Sequence, residues 1–292
     1  MQNKILLTGA TGFLGSHILK RLIDEGKDVV VLIRESSNLD RIDMLEGFSI
    51  FKTNKQYSNI NELFELYSID TIIHLATEYG RILPYSDVLF CNVYLPIKLI
   101  EISSKKNLKL FINTDSFYSK FQEYPYLREY ILSKKIFKDY LQTLTKIQII
   151  NLQLEHVYGE YDSKDKFITS LIDKLYKNEK TIKLTNGNQK RDFIYVKDVV
   201  NAYMTFLSNR TFLKQYSEFE LGTGVSVPLK DFVINIHQIM NSKSELLFGT
   251  LPSRNDEIMD SVANLTELEN IGWKPQYDSI KAIKQIIETI KL

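Results

Sequence analysis

The chain is poor in cysteine and proline. A single cysteine, Cys91, among 292 residues excludes any internal disulfide, and six prolines leave most of the length free for regular structure. It also lacks a charge bias: 37 lysines and arginines face 36 aspartates and glutamates, for a net charge of +1. Without a basic arm or stripe there is no nucleic-acid footprint, and short groups such as Lys105-Lys106 and Lys134-Lys135 read as solvated helix faces. No apolar run is long enough to span a bilayer, so no membrane association is expected. Met1-Gln2-Asn3-Lys4 passes into a strand pattern with no apolar signal region, and a cytoplasmic location is the expectation. His17, His74, His156 and His237 lack metal-ligand spacing, so no metal is expected. What remains, 44% hydrophobic and 25% charged residues, suits a large core in one large or two smaller domains.

The most informative stretch follows the apolar run Ile5-Leu6-Leu7. Thr8-Gly9-Ala10-Thr11-Gly12-Phe13-Leu14-Gly15 turns into an amphipathic helix beginning Ser16-His17-Ile18-Leu19, and a second apolar run, Val29 to Ile33, comes after it. Glycines in such a β-α-β unit give a tight bend and let the backbone approach a pyrophosphate, which the positive end of the helix attracts. Gly9, Thr11, Gly12, Phe13, Leu14 and Gly15 are therefore candidate dinucleotide contacts. Three glycines alone would be a weak signal; the strand before and the helix and strand after decide the reading.

Further apolar runs, Phe48 to Lys52, Thr71 to Leu75, Lys109 to Asn113 and Ile147 to Leu154, alternate with helical patterns. This predicts an α/β fold built on a doubly wound, mainly parallel sheet of the Rossmann type. Ligands of such sheets gather at the carboxyl ends of the strands. There, Arg34 and Ser36 stand where an NAD-preferring turn would place an acid, and a guanidinium fork suits a 2′-phosphate. NADPH is favoured, with NADH possible; Glu35 binds a ribose or faces solvent. Leu75, Ala76 and Thr77, at the end of another strand, are small enough to lie against the cofactor.

Tyr130 and Lys134 fall four residues apart, on one face of a predicted helix. A lysine so placed favours the phenolate and holds the nicotinamide ribose, which makes Tyr130 a proton donor or acceptor. The preceding strand end carries Thr114-Asp115-Ser116, whose hydroxyls would polarise a substrate carbonyl. Thr114 and Ser116 share a strand face, and Asp115 points the other way. Ser116 is the first choice for the catalytic hydroxyl and Thr114 the second.

With these pieces in order, the chain resembles an extended short-chain dehydrogenase/reductase of the sugar-nucleotide epimerase/dehydratase superfamily. The resemblance includes the Thr8 to Gly15 turn, His74-Leu75-Ala76, Asn92-Val93, Tyr130 with Lys134, Val157-Tyr158-Gly159, Gln189 to Val199 and Gly272-Trp273-Lys274-Pro275. It implies a dinucleotide-binding domain over residues 1–158, rejoined by a segment near 189–228, and a smaller α/β domain over 159–292 that binds a nucleotide sugar. It also implies Asn92 among the cofactor contacts, Arg191 and Arg254 on the substrate diphosphate, and a homodimer formed by helices near Pro96 to Ser104 and Tyr126 to Thr143. Glu155 and His156 stand where relatives often carry a substrate-contacting Asn. They read the sugar or are a strand-end pair.

Within the superfamily, Asn113 to Tyr118 followed after a short interval by Tyr130 to Lys135 is similar to CDP-abequose synthase-like sugar-nucleotide 4-ketoreductases. That implies reduction of the C4 ketone of a nucleotide-linked 4-keto-6-deoxyhexose for deoxysugar and O-antigen synthesis. A 4,6-dehydratase is disfavoured because Ser116 replaces the Glu of the dehydratase Thr-Asp-Glu. A 4-epimerase stays open, as does a non-catalytic cofactor-binding regulator, against which the Tyr130-Lys134 pair argues.

Overall fold

The structure, a computed structural model, describes residues 3–121, 124–210 and 213–291. The chain opens with β1 (Lys4–Thr8), α1 (Phe13–Asp24), β2 (Val29–Arg34), β3 (Phe48–Thr53), α2 (Ile60–Leu66) and β4 (Ile69–His74). Next, α3 (Tyr85–Leu89) runs through a π-helical segment (Phe90–Tyr94) into α4 (Leu95–Ser103). β5 (Leu110–Ser116), a 3-10 turn (Phe117–Lys120), α5 (Arg128–Gln142) and β6 (Gln148–Leu154) follow.

The remainder comprises β7 (His156–Tyr158), α6 (Phe167–Tyr176), β8 (Thr181–Lys183), β9 (Lys190–Arg191), β10 (Phe193–Tyr195) and α7 (Val196–Asn209). After these come β11 (Tyr216–Leu221), β12 (Val227–Pro228), α8 (Leu229–Met240), β13 (Glu245–Leu247), α9 (Thr266–Asn270) and α10 (Ser279–Lys291). Among the described residues no helix is long and apolar enough to cross a membrane.

Seven strands form one sheet in the order β3-β2-β1-β4-β5-β6-β11. The pairs of β1 with β2 and β4, of β2 with β3 and of β4 with β5 are parallel. β11 also runs parallel to β6: the Ile149 and Glu155 amides donate to the Gln215 and Leu221 carbonyls at a constant offset. This is the Rossmann-like α/β sheet the alternation predicts, with the order reversing at β1 and β4. Both faces are covered, so the strands are apolar throughout: every residue of β4 is buried, as are five of the six in β2. On α1 the buried residues Gly15, Ile18, Leu19 and Leu22 recur at the helical period and turn one face to the sheet.

The chain divides into two compact units, Met1–Gln153 with Phe206–Phe219, and Leu154–Thr205 with Glu220–Leu292. The core of the first includes Leu6, Val30, Ile72, Phe111, Leu99 and Phe137. The second holds three strand pairs, β7 with β10, β9 with β12 and β8 with β13. Phe193 stacks on Phe232 at 4.0 Å there, and both rings pack edge-on against Tyr158.

Candidate active site

The turn between β1 and α1 is fixed by backbone contacts that exclude side chains. Gly9 has φ +71°, and a Cβ on it would come 2.6 Å from the Ala76 amide nitrogen. A Cβ on Gly15 would run into the Gly9 carbonyl, while the Gly12 amide donates to that same carbonyl at 3.0 Å. Gly12 caps α1 with no side-chain cap, and the first turn carries no acid, so the helix presents amide donors and a positive end. Thr11, Phe13 and Leu14 are half-buried around it. A cradle that a Cβ would fill, at an acid-free helix start, fits a dinucleotide pyrophosphate.

Thr8 joins this turn to the end of β4. Its hydroxyl accepts from the amides of Leu75 and Ala76 at 3.2 and 3.1 Å, so its proton goes to His74 Nδ1 at 2.8 Å. That assigns the neutral Nε2-H tautomer to His74, whose Nε2 has no hydrogen-bond partner and whose ring lies near Phe111 and Phe137. Burial, and then the charge of Lys134, push the His74 pKa down to about 3. Leu75, Ala76 and Thr77 leave the strand half-buried.

At the end of β2, the Ser37 hydroxyl accepts from the Arg34 amide at 3.1 Å and the Ser37 amide donates to the Arg34 carbonyl at 2.9 Å. The turn so formed leaves the Arg34 and Ser36 side chains exposed. The Arg34 charge acts on Tyr57 and Cys91, whose side chains hydrogen-bond each other.

Asn92, expected among the cofactor contacts, has its amide fully used within the protein. Its oxygen accepts from the Glu78 amide at 2.7 Å and the Thr77 hydroxyl at 3.3 Å. Its nitrogen donates to the Glu78 carbonyl at 2.8 Å and to Ser133 Oγ at 2.9 Å. With two donors and two lone pairs engaged, it fixes the loop after β4 to α5. The π segment carries it at this position, as such segments commonly do near functional sites.

Ser133 in turn donates to the Tyr130 carbonyl at 2.7 Å. Tyr130 is buried on α5, and its phenol hydrogen-bonds the hydroxyl of Ser116. Lys134 Nζ donates to the Thr114 carbonyl at 2.8 Å and stands 5.7 Å from the Tyr130 ring centroid. The first unit thus brings Tyr130, Lys134, Ser116 and Thr114 together.

The electrostatics differ from expectation. Burial, then the charges of Tyr79 and Asp115, hold the Tyr130 pKa well above its ordinary value, and only the Ser116 hydrogen bond works against them. Sequence logic anticipates phenolate stabilisation by Lys134, but desolvation dominates in the folded chain. Lys134 is itself 4% exposed and pushed down by burial, although Asp115 and Cys91 oppose that shift. It is no part of a solvated face. Lys106 and Lys135 likewise donate to the carbonyls of Phe64 and Phe121.

Asp115 points away from the Thr114 and Ser116 face, as strand alternation requires. Its carboxylate accepts from the Ser116 amide and the Ser119 hydroxyl, both at 2.8 Å, and from Asn151 Nδ2 at 3.0 Å. Ser119 thereby gains a partner. Asn151 also accepts from Asn113 at 2.7 Å and donates to Glu218 at 3.0 Å, and Glu218 receives Lys138 and Tyr216.

The second unit holds the other expected residues. Both Glu155 carboxylate oxygens accept from Ser261 Oγ, at 2.9 and 2.8 Å, and His156 Nδ1 stands 3.7 Å from Glu155 Oε2. Burial pushes the His156 pKa down against the pull of Glu155. Arg191 is buried, donating to Glu257 Oε1 at 2.6 Å and to the Lys190 carbonyl at 2.7 Å, and its charge acts on His156. Arg254 lies on an exposed stretch three residues before Glu257. Glu257 and Ser261 give no signal in the sequence, because their partners lie 66 and 106 residues away.

The sequence model of the NAD dependent epimerase/dehydratase family matches residues 5–222. The chain belongs to this family. It is 38% identical over 304 residues to the CDP-abequose synthase of Salmonella typhimurium, covering 99% of both chains. Its fold is similar to that of the UDP-glucose 4-epimerase of Thermotoga maritima, solved with UDP-glucose, with a TM-score of 0.85, 20% identity and 99% and 98% of the two chains covered. The UDP-glucose 4-epimerase of Thermus thermophilus, solved with NAD, gives a TM-score of 0.83 at 18% identity, covering 99% of each chain. In this family member, a phenol, a serine hydroxyl and an ammonium converge at the carboxyl end of β5, a grouping able to exchange a proton with an oxygen on a substrate carbon.

Proposed function

We propose that the protein reduces the C4 ketone of a nucleotide-linked 4-keto-6-deoxyhexose, with NADPH as cofactor. The observation that carries this reading is the buried Tyr130 phenol, hydrogen-bonded to Ser116 beside Lys134 and pushed toward its protonated form by burial. When bound, the cofactor supplies a hydride to the substrate carbon. Tyr130 gives its proton to the emerging C4 alkoxide, Ser116 holds that oxygen, with Thr114 as the second hydroxyl on the same strand face, and Lys134 stabilises the phenolate left behind. Epimerisation and dehydration both begin by oxidising the C4 hydroxyl, which needs Tyr130 as phenolate. Burial pushes the phenol in the direction of the proton donor that reduction needs. The carboxylate of Asp115, drawn inward to Ser119 and Asn151, further weighs against dehydration.

The name of the relative at 38% identity supports a sugar nucleotide as substrate. Gly9, Gly12 and Gly15 with the start of α1 would hold the pyrophosphate. Arg34 and Ser36, exposed at the end of β2, would hold a 2′-phosphate, which favours NADPH over NADH. Arg191 and Arg254 would meet the substrate diphosphate, Arg191 by exchanging its bond to Glu257. Glu155 and His156 would border the sugar. On this reading the enzyme is cytoplasmic, and it dimerises through α4 and α5, where Leu132 and Ile136 expose 43% and 39% of their surface one helical turn apart.

The test is NADPH and NADH consumption against CDP-, dTDP-, UDP- and GDP-linked 4-keto-6-deoxyhexoses, with products identified by NMR. NADPH-dependent formation of a C4 alcohol is the expected result. No oxidation of either cofactor with any substrate, despite cofactor binding, would sink the reading and favour epimerase or non-catalytic function.

A further inference from the structure

One aromatic side chain near Tyr130 has no part in the chemistry above. Tyr79, on the loop that follows β4, lies with its ring centroid 5.0 Å from that of Tyr130, at an interplanar angle of 31°. Several constraints place it there. Asn92 engages both the amide and the carbonyl of Glu78, the preceding residue. The Glu78 carboxylate then accepts from the Tyr79 and Gly80 amides, at 3.0 and 3.4 Å. Gly80 has φ +69°, and a Cβ there would come 2.7 Å from Val88 Cγ2, so the chain bends back immediately after Tyr79 in a way other residues resist. The Arg81 guanidinium lies 6.0 Å from the Tyr79 ring centroid.

So many constraints around a tyrosine that still exposes 40% of its surface are hard to explain by stability alone. Packing energy comes from buried area, and a freely moving side chain at this loop position would cost the fold little. What the constraints achieve is a flat ring at a fixed place beside the reactive phenol. Tyr118 and Tyr124, stacked at 5.3 Å, add aromatic surface on the segment following Ser116. The Tyr79 and Tyr118 phenols both act electrostatically on Tyr130.

We infer that Tyr79 is a specificity-determining residue that contacts substrate, its ring forming an apolar wall against which the C5–C6 methyl edge of a 6-deoxyhexose packs. The inference rests on the reading of Tyr130 as the group that meets the C4 oxygen. A hexose whose C4 reaches Tyr130 turns either its C3 edge or its C5–C6 edge to whatever borders that phenol, and the C5–C6 edge is the one assigned to Tyr79. A 6-deoxy sugar offers a methyl there, which gains from an aromatic face, whereas a 6-hydroxyl would lose its water.

The experiment compares CDP-6-deoxyglucose with CDP-glucose, and the dTDP-linked pair likewise, on the cofactor-loaded protein and its Tyr79→Phe and Tyr79→Ala variants. Saturation-transfer NMR reads whether the C6 methyl is near protein protons, and titration gives affinity. The wild type is expected to saturate the methyl strongly and to prefer the 6-deoxy member. Tyr79→Phe should keep both properties, whereas Tyr79→Ala should lose about tenfold of the preference, the scale set by one methyl in an apolar pocket, with cofactor affinity and melting temperature unchanged. Equal preference in Tyr79→Ala and wild type, or no methyl saturation with either nucleotide, would overturn the inference. Because binding is read apart from turnover, loss of the reductase reading leaves a distinct signature: methyl contact and preference intact with these C4 alcohols, but no cofactor oxidised by the 4-keto-6-deoxyhexose nucleotides.

Discussion

The β1–α1 turn and the stretch from Glu155 to Asp192 are both expected to meet phosphate or sugar groups, yet they are built in opposite ways. The turn is defined by side chains it cannot have, at Gly9 and Gly15, and by backbone contacts over a few residues. The later stretch is defined by charged and polar side chains whose partners come from far along the chain: Ser261 for Glu155, Glu257 for Arg191, and Thr223, Gly224 and Ala263 for Asp192. Sterics tolerate almost no substitution, whereas a pair of side chains can be adjusted one partner at a time. The first region suits a cofactor shared across a family, and the second suits a substrate that differs between members.

The catalytic contrast should give the largest effect. Tyr130→Phe is expected to lower turnover about a thousandfold, in the range of general-acid catalysis, while cofactor affinity stays within about twofold by fluorescence titration. Retained turnover would remove Tyr130 from its assigned role. Gly9→Ala should do the reverse, weakening cofactor binding about a hundredfold, since a Cβ at φ +71° and 2.6 Å from Ala76 imposes about 3 kcal/mol of strain. Unchanged affinity there would break the claim that backbone sterics define the turn.

Arg34→Leu is expected to lower kcat/KM with NADPH about tenfold and leave NADH nearly unaffected; equal losses with both would remove the 2′-phosphate assignment. Glu257→Gln releases the carboxylate partner of Arg191 and should change the KM for the sugar nucleotide several-fold with kcat preserved, where the backbone-defined turn allows no such adjustment. A change confined to kcat would argue against Arg191 as a diphosphate contact.

A separate effect falls on stability and not on activity. His74 takes up a proton near pH 6.5 when unfolded but only near pH 3 when folded, so the unfolded chain binds more protons between those values. Stability is therefore lost as pH falls below about 6.5, by up to about 1.4 kcal/mol per pH unit for this residue. Chemical denaturation from pH 7.5 to 5 should show that slope, and His74→Gln should flatten it; parallel slopes would contradict a neutral buried imidazole.

The fold and the cofactor turn were legible because their signals are local. A short, β-branched apolar run such as Val29 to Ile33 suits a covered strand, and glycines placed between a strand and a helix suit a backbone held close to a ligand. The spacing of Tyr130 and Lys134 and the shared face of Thr114 and Ser116 are also arithmetic of regular elements. What did not follow was the strength of the desolvation. The sequence places Lys134 near Tyr130 but gives no measure of how dry α5 becomes, and dryness decides the direction in which the phenol shifts. Asn92 was legible as a motif residue, but that all its hydrogen-bonding capacity is spent on Glu78, Thr77 and Ser133 depends on the tertiary packing of α5.

The carboxamide of Asn151 has a consequence for how the chain could be taken apart. It ties Asp115 on β5 to Glu218 on β11, a strand that follows α7. Strand β5 thus leans on residues more than sixty positions beyond β6, within the returning segment Phe206–Phe219. A single cut after Gln153 would therefore not yield an autonomous dinucleotide module. Domain grafting between relatives would need three junctions in register, near Gln153, Thr205 and Phe219, so that Glu155 and Arg191 travel with Ser261 and Glu257, and one fusion of halves end to end would not achieve it.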